Sequence, residues 1–69
     1  MKWTIEKRKA LASFAHPKHL DELVNDKVPN VRYEVAENGN EHHARALLND
    51  KAPQVKERAK SRLKDLGKS

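Results

Sequence analysis

The segment N-D-K-V-P-N-V-R at residues 25–32 recurs as N-D-K-A-P-Q-V-K at residues 49–56. Five of the eight positions are identical at a spacing of 24, and the other three are conservative. The match continues upstream, where Leu23-Val24 aligns with Leu47-Leu48 and His19 with His43. One period earlier, Arg8, Leu11, Ala12 and Ala15 align with Arg32, Val35, Ala36 and Gly39. A fixed period of this length marks stacked supersecondary units, each burying its apolar face only against a neighbour. The chain reads as about two and a half copies: a cap over 1–6, repeats over 7–30 and 31–54, and a partial repeat with a closing helix over 55–69. No linker or low-complexity tract divides them, so residues 1–69 are expected to form one domain.

Each copy predicts two short helices. Leu20, Leu23 and Val24 fall at i, i+3, i+4, and Ala44, Leu47 and Leu48 repeat that face. His16 and Asn40 stand at the N-cap positions, with Pro17 suited to a first helical turn. Asn25-Asp26 and Asn49-Asp50 interrupt the helices as turn formers, and Pro29 and Pro53 restart them. Val31 and Val35 lie one turn apart on the buried side of the second helix. In the last copy that stripe extends through Val55, Ala59, Leu63 and Leu66. Gly39 and Gly67 sit where helices should stop. An opening helix is expected over roughly 4–15, with Thr4 as N-cap and Ile5, Leu11, Phe14 and Ala15 turned inward. Nothing alternates with the period of a strand. The expected fold is all-α, a short α-solenoid of about five short helices.

The pattern L-x-x-L-[VL]-N-D-x-x-P-x-V-[RK] over residues 7–64 resembles the leucine-rich repeat variant class and the longer HEAT-like repeats. The resemblance implies stacked helix pairs that present binding surfaces rather than catalytic sites. It also implies an Asp–Arg ladder between units, falling on Asp26 with Arg32 and on Asp50 with Lys56. Lys56 stands where the pattern has Arg, and a lysine cannot form the forked bidentate contact.

A 69-residue chain has a thin core, and with no cysteine it has no disulfide or thiolate metal site to brace it. No apolar run approaches the roughly 18 residues of a membrane span. The opening residues MKWTIEKRKA lack the apolar stretch of a signal peptide. A cytoplasmic location and no membrane partner are therefore expected. The net charge of +5 is unevenly spread. Residues 1–20 hold five cations against one acid, 21–50 three cations against seven acids, and 51–64 six cations against Glu57. Two basic ends thus flank an acidic centre.

Chemistry-bearing residues are sparse. His16, His19, His42 and His43 raise the question of a metal, but His19 and His43 are repeat mates. Packed helices would set them about 10 Å apart, too far to share one ion. They read as exposed polar residues, with no metal and no cofactor expected. Glycine occurs only at 39 and 67, so no phosphate-binding loop exists, and Thr4, Ser13 and Ser61 stand in no nucleophile motif. The chain is not expected to be an enzyme.

Two interaction readings remain. In the first, the chain binds another protein as an adaptor, regulator or inhibitor, as a monomer or weak homodimer. Its candidate contacts are Trp3, Tyr33, Arg32 and Lys56. Tyr33 occupies a position held by Lys9 and Glu57 in the other copies and so is expected on the surface. In the alternative, the basic closing helix tracks a nucleic-acid backbone without reading sequence. Lys56, Lys60 and Lys64 form one stripe at i, i+4, i+8 and Arg58 and Arg62 a second, with Lys7, Arg8 and Lys9 as possible additions. That stripe also suits the solvated cap of a helical stack. The first reading is favoured, because three aromatic residues offer few platforms for stacking on bases.

Overall fold

Capping chemistry sets where the helices begin. A computed structural model of the protein describes residues 4–14 and 16–67. Helix α1 (Ile5–Ser13) starts behind Thr4, whose hydroxyl accepts the Lys7 N–H at 3.1 Å. Helix α2 (Pro17–Leu23) follows His16, whose Nδ1 accepts the Lys18 N–H. Helix α3 (Pro29–Asn38) opens on proline, which has no N–H to leave unpaired. Helix α4 (Glu41–Ala46) begins in a reciprocal capping box, Asn40 Oδ1 accepting from His43 N–H and His43 Nδ1 from Asn40 N–H. A 3-10 turn at Leu47–Asn49 completes that segment, and helix α5 (Pro53–Asp65) again starts on proline. The architecture is all-helical, with no strand among the described residues.

Helix α1 packs on α3 and α3 on α5, in chain order. Helix α2 touches α1 and α3, and α4 touches α3 and α5. The core between them is built from Ala12, Leu20, Leu23, Val31, Val35, Ala36, Leu47, Val55 and Ala59, all buried. These include the apolar faces predicted from the repeat, with small alanines where helices approach closely. Leu63 is buried as well, and Leu11 and Val24 are half-buried against the cluster.

Some residues depart from expectation. Phe14 is 78% exposed and Ile5 is also exposed, rather than turned inward. Phe14 is the repeat mate of Arg62, a residue that reaches back onto the preceding helix by donating to the Gly39 carbonyl. No described helix precedes α1 for Phe14 to reach. Ala15 and Trp3 lie outside the described residues. His43 is buried rather than exposed, at 1%. Gly39 makes the room: a Cβ there would stand 2.7 Å from His43 Cβ and 2.6 Å from the Val35 carbonyl oxygen. Tyr33 is half-buried, its ring packed against the core; its repeat mate Lys9 is also half-buried, while Glu57 is exposed.

Candidate interaction surfaces

The two N-D-K-x-P turns share the same bonds around their aspartates. Asp26 N–H donates to the Leu23 carbonyl at 3.0 Å, and Asp50 N–H to the Leu47 carbonyl at 3.1 Å. Asp26 Oδ1 accepts the Val28 N–H, and Asp50 Oδ1 the Ala52 N–H, each at 2.9 Å. Each aspartate thus holds the residue ahead of a helix-starting proline. The second carboxylate oxygen faces an arginine 18 residues upstream: Arg8 Nε lies 2.6 Å from Asp26 Oδ2, and Arg32 Nε lies 2.6 Å from Asp50 Oδ2. Arg32 adds a second bond to Asp50 Oδ1 at 3.0 Å and donates from Nη1 to the Asp26 carbonyl at 2.6 Å.

This corrects the pairing implied by the repeat resemblance. Arg32 grips the carboxylate of Asp50, in the following turn, and reaches Asp26 only through its backbone carbonyl. Asp50 has Arg32 as its cation rather than Lys56. The bridge therefore runs Arg8, Asp26, Arg32, Asp50. Burial works to raise the Asp50 pKa, but the hydrogen bonds from Arg32 and Ala52 and the nearby positive charge outweigh it, and the carboxyl lies below its ordinary value. The same bond to Asp50 holds the Arg32 guanidinium above its usual value against the opposing effect of burial.

A groove of about 730 Å³ runs between the two turns, with Asn25, Lys27, Asn49 and Lys51 on its rims. Its floor is Asp26, Arg32 and Asp50, whose charges are spent on one another. It is a seam between two turns. Arg32, a candidate partner contact from the sequence, is committed there, with its side chain only 15% exposed.

On another side, α3 and α5 frame a groove of about 320 Å³ lined by Tyr33, Gln54, Glu57, Arg58 and Ser61. Here half-buried Tyr33 shares the groove with a cation, Arg58, and an anion, Glu57. The sequence reading singled out Tyr33 but not Gln54, Glu57 and Ser61 beside it. Their spacing on α5, at 54, 57, 58 and 61, is that of a single helical face, and Glu57 is the repeat mate of Tyr33.

The basic residues do not merge into one surface. Lys56, Lys60 and Lys64 are exposed along α5, with Lys60 Nζ 3.5 Å from Glu57. Arg58 lines the tyrosine groove, and Arg62 Nε is bound to the Gly39 carbonyl at 2.7 Å. On α1, Arg8 is held by Asp26, Lys9 is half-buried and Lys7 is exposed. Helix α3 packs between α1 and α5, so the two basic sets occupy separate regions.

His43 Nε2 lies 2.6 Å from Asp21 Oδ1, while its Nδ1 accepts from Asn40 N–H. With Nδ1 accepting from Asn40, Nε2 is the ring nitrogen left to donate to Asp21. The histidines pair as neighbours, His16 with His19 and His42 with His43, and no group of three His, Asp or Glu among the described residues is placed to hold a metal. Among the described residues no helix is long and apolar enough to cross a membrane. In comparisons with protein-family models, curated proteins and solved structures, none matches this chain.

Proposed function

We propose that the chain is a short α-solenoid of the leucine-rich repeat variant or HEAT-like kind, and that it binds another protein without catalysing a reaction. The bonds recurring around both N-D-K-x-P turns support the stacked-unit reading. The observation that carries the binding reading is the tyrosine groove between α3 and α5. Tyrosine and arginine are enriched in protein interfaces, where a ring supplies contact area at small entropic cost. Tyr33 is already braced against the core, so little ordering is left for a partner to impose. Arg58 and Glu57 on the rim supply orientation.

Site-specific photo-crosslinking tests this reading. A photoreactive phenylalanine analogue placed at Tyr33 is expected to capture a defined protein in cells, and the capture should vanish when Arg58→Glu is added. The same analogue at Lys18, exposed on α2, should capture nothing in common with it. Identical products at both positions, or none at Tyr33, would contradict the assignment.

A further inference from the structure

The lysine stripe of α5 stands at positions that the earlier units use for seating a helix. Lys56 is the repeat mate of Arg8 and Arg32, and Lys60 is the mate of Ala12 and Ala36. Arg8 reaches the Asp26 turn that precedes α3, and Arg32 reaches the Asp50 turn that precedes α5. Ala12 and Ala36 lie one turn further along the same faces and are fully buried. In both cases the face receives an acidic turn and then a helix. On α5 the equivalent face is exposed, and its arginine and alanine are replaced by Lys56 and Lys60, with Lys64 one turn beyond.

Such a face has a definite chemistry. Lys60 in place of alanine prevents close approach of a helix like α3 or α5, since a buried ammonium without a partner is costly. A helix carrying its own carboxylates offsets that cost by pairing with the ammonium groups while they stay partly solvated. The three lysines stand one helical turn apart, about 6 Å along the axis, on one stripe, which matches carboxylates at i, i+4, i+8 on a second helix. The exposed Lys60–Glu57 pair is a surface contact that a closer carboxylate can replace. We infer that Lys56, Lys60 and Lys64 form a docking face for an acidic amphipathic helix of a partner protein. This surface adjoins the tyrosine groove at Glu57, but it is argued from the lysine stripe alone and does not depend on Tyr33.

The test uses the full chain and a fluorescent, helix-stabilised peptide of about four turns, with glutamates at i, i+4, i+8 and leucines on the adjoining stripe. Two further probes are the same peptide with glutamine for glutamate and a short duplex DNA. Anisotropy is read at about 50 mM and 200 mM salt. The glutamate peptide is expected to bind at least tenfold more tightly than the glutamine peptide. The triple variant Lys56→Glu, Lys60→Glu, Lys64→Glu should lose the glutamate peptide and acquire a lysine-bearing counterpart. A helical circular-dichroism spectrum and a cooperative melt like the native chain's show that the variant is folded. Tighter, steeply salt-dependent binding of the duplex would assign the stripe to phosphates and overturn the inference. Equal, weak binding of both peptides would reduce it to a solvated cap and also overturn it. Loss of crosslinking at Tyr33 would leave this result unaffected.

Discussion

At the scale of single residues, Asp50 and Gly39 do work that their neighbours in sequence do not announce. Asp50 accepts from Ala52 N–H with one oxygen and from Arg32 with both, and its side chain is only 6% exposed. Its folded pKa lies below the unfolded value near 3.9, so its stabilisation is fully present above that value and is lost as pH falls through the folded pKa. The thermal unfolding temperature of the native chain should therefore fall as pH drops below about 4. Asp50→Asn should be less stable at pH 7, with a flatter acid limb; an unchanged limb would place the acid sensitivity elsewhere. Gly39→Ala drives a methyl into a backbone carbonyl and the His43 side chain. Urea unfolding should show a loss of about 1–3 kcal/mol, the usual cost of overpacking. His43 shows how such a residue escapes a sequence reading. Its polarity suggests exposure, but its burial depends on a glycine four residues earlier and on Asp21 from another helix.

At the scale of elements, helix positions were legible because capping and proline signals are local. Thr4, His16 and Asn40 cap as their side chains predict, and Pro17, Pro29 and Pro53 open helices. The buried faces of α2, α3 and α5 were legible from apolar spacing, except Leu66, which lies past the last turn of α5 and is exposed. The face of α1 was not, since periodicity marks an apolar residue without saying whether a neighbouring helix exists to cover it. Leu23→Ala, at the centre of the core, should cost about 2–5 kcal/mol, whereas Phe14→Ser should change stability by less than about 0.5 kcal/mol. Denaturant melts of the two variants check this contrast; a large loss for Phe14→Ser would mean that the ring is covered in solution. The candidate site was legible only in part. Tyr33 and the lysine stripe stand out as breaks in the repeat, but the groove needs two helices from different units, and their relative placement is a tertiary fact.

At the scale of the whole molecule, described residues span 35 × 23 × 14 Å with a radius of gyration of 10.7 Å, close to the roughly 11 Å expected for a compact chain of this length. In the stack proposed here, stability rests on the interfaces between units as much as on the units. The Arg8–Asp26 and Arg32–Asp50 contacts are the polar part of those interfaces. Removing one member of the part-buried Arg32–Asp50 pair leaves the other charge without its partner, a loss of about 1–3 kcal/mol. The most direct measurement of the stacked-unit account is a double-mutant cycle on Arg32 and Asp50, read by urea unfolding, beside a second cycle on Arg32 and Asp26. Strong coupling, about 2 kcal/mol or more, is predicted between Arg32→Ala and Asp50→Ala, with far weaker coupling between Arg32→Ala and Asp26→Ala. Coupling near zero in the first cycle, or a larger value in the second, would contradict the account.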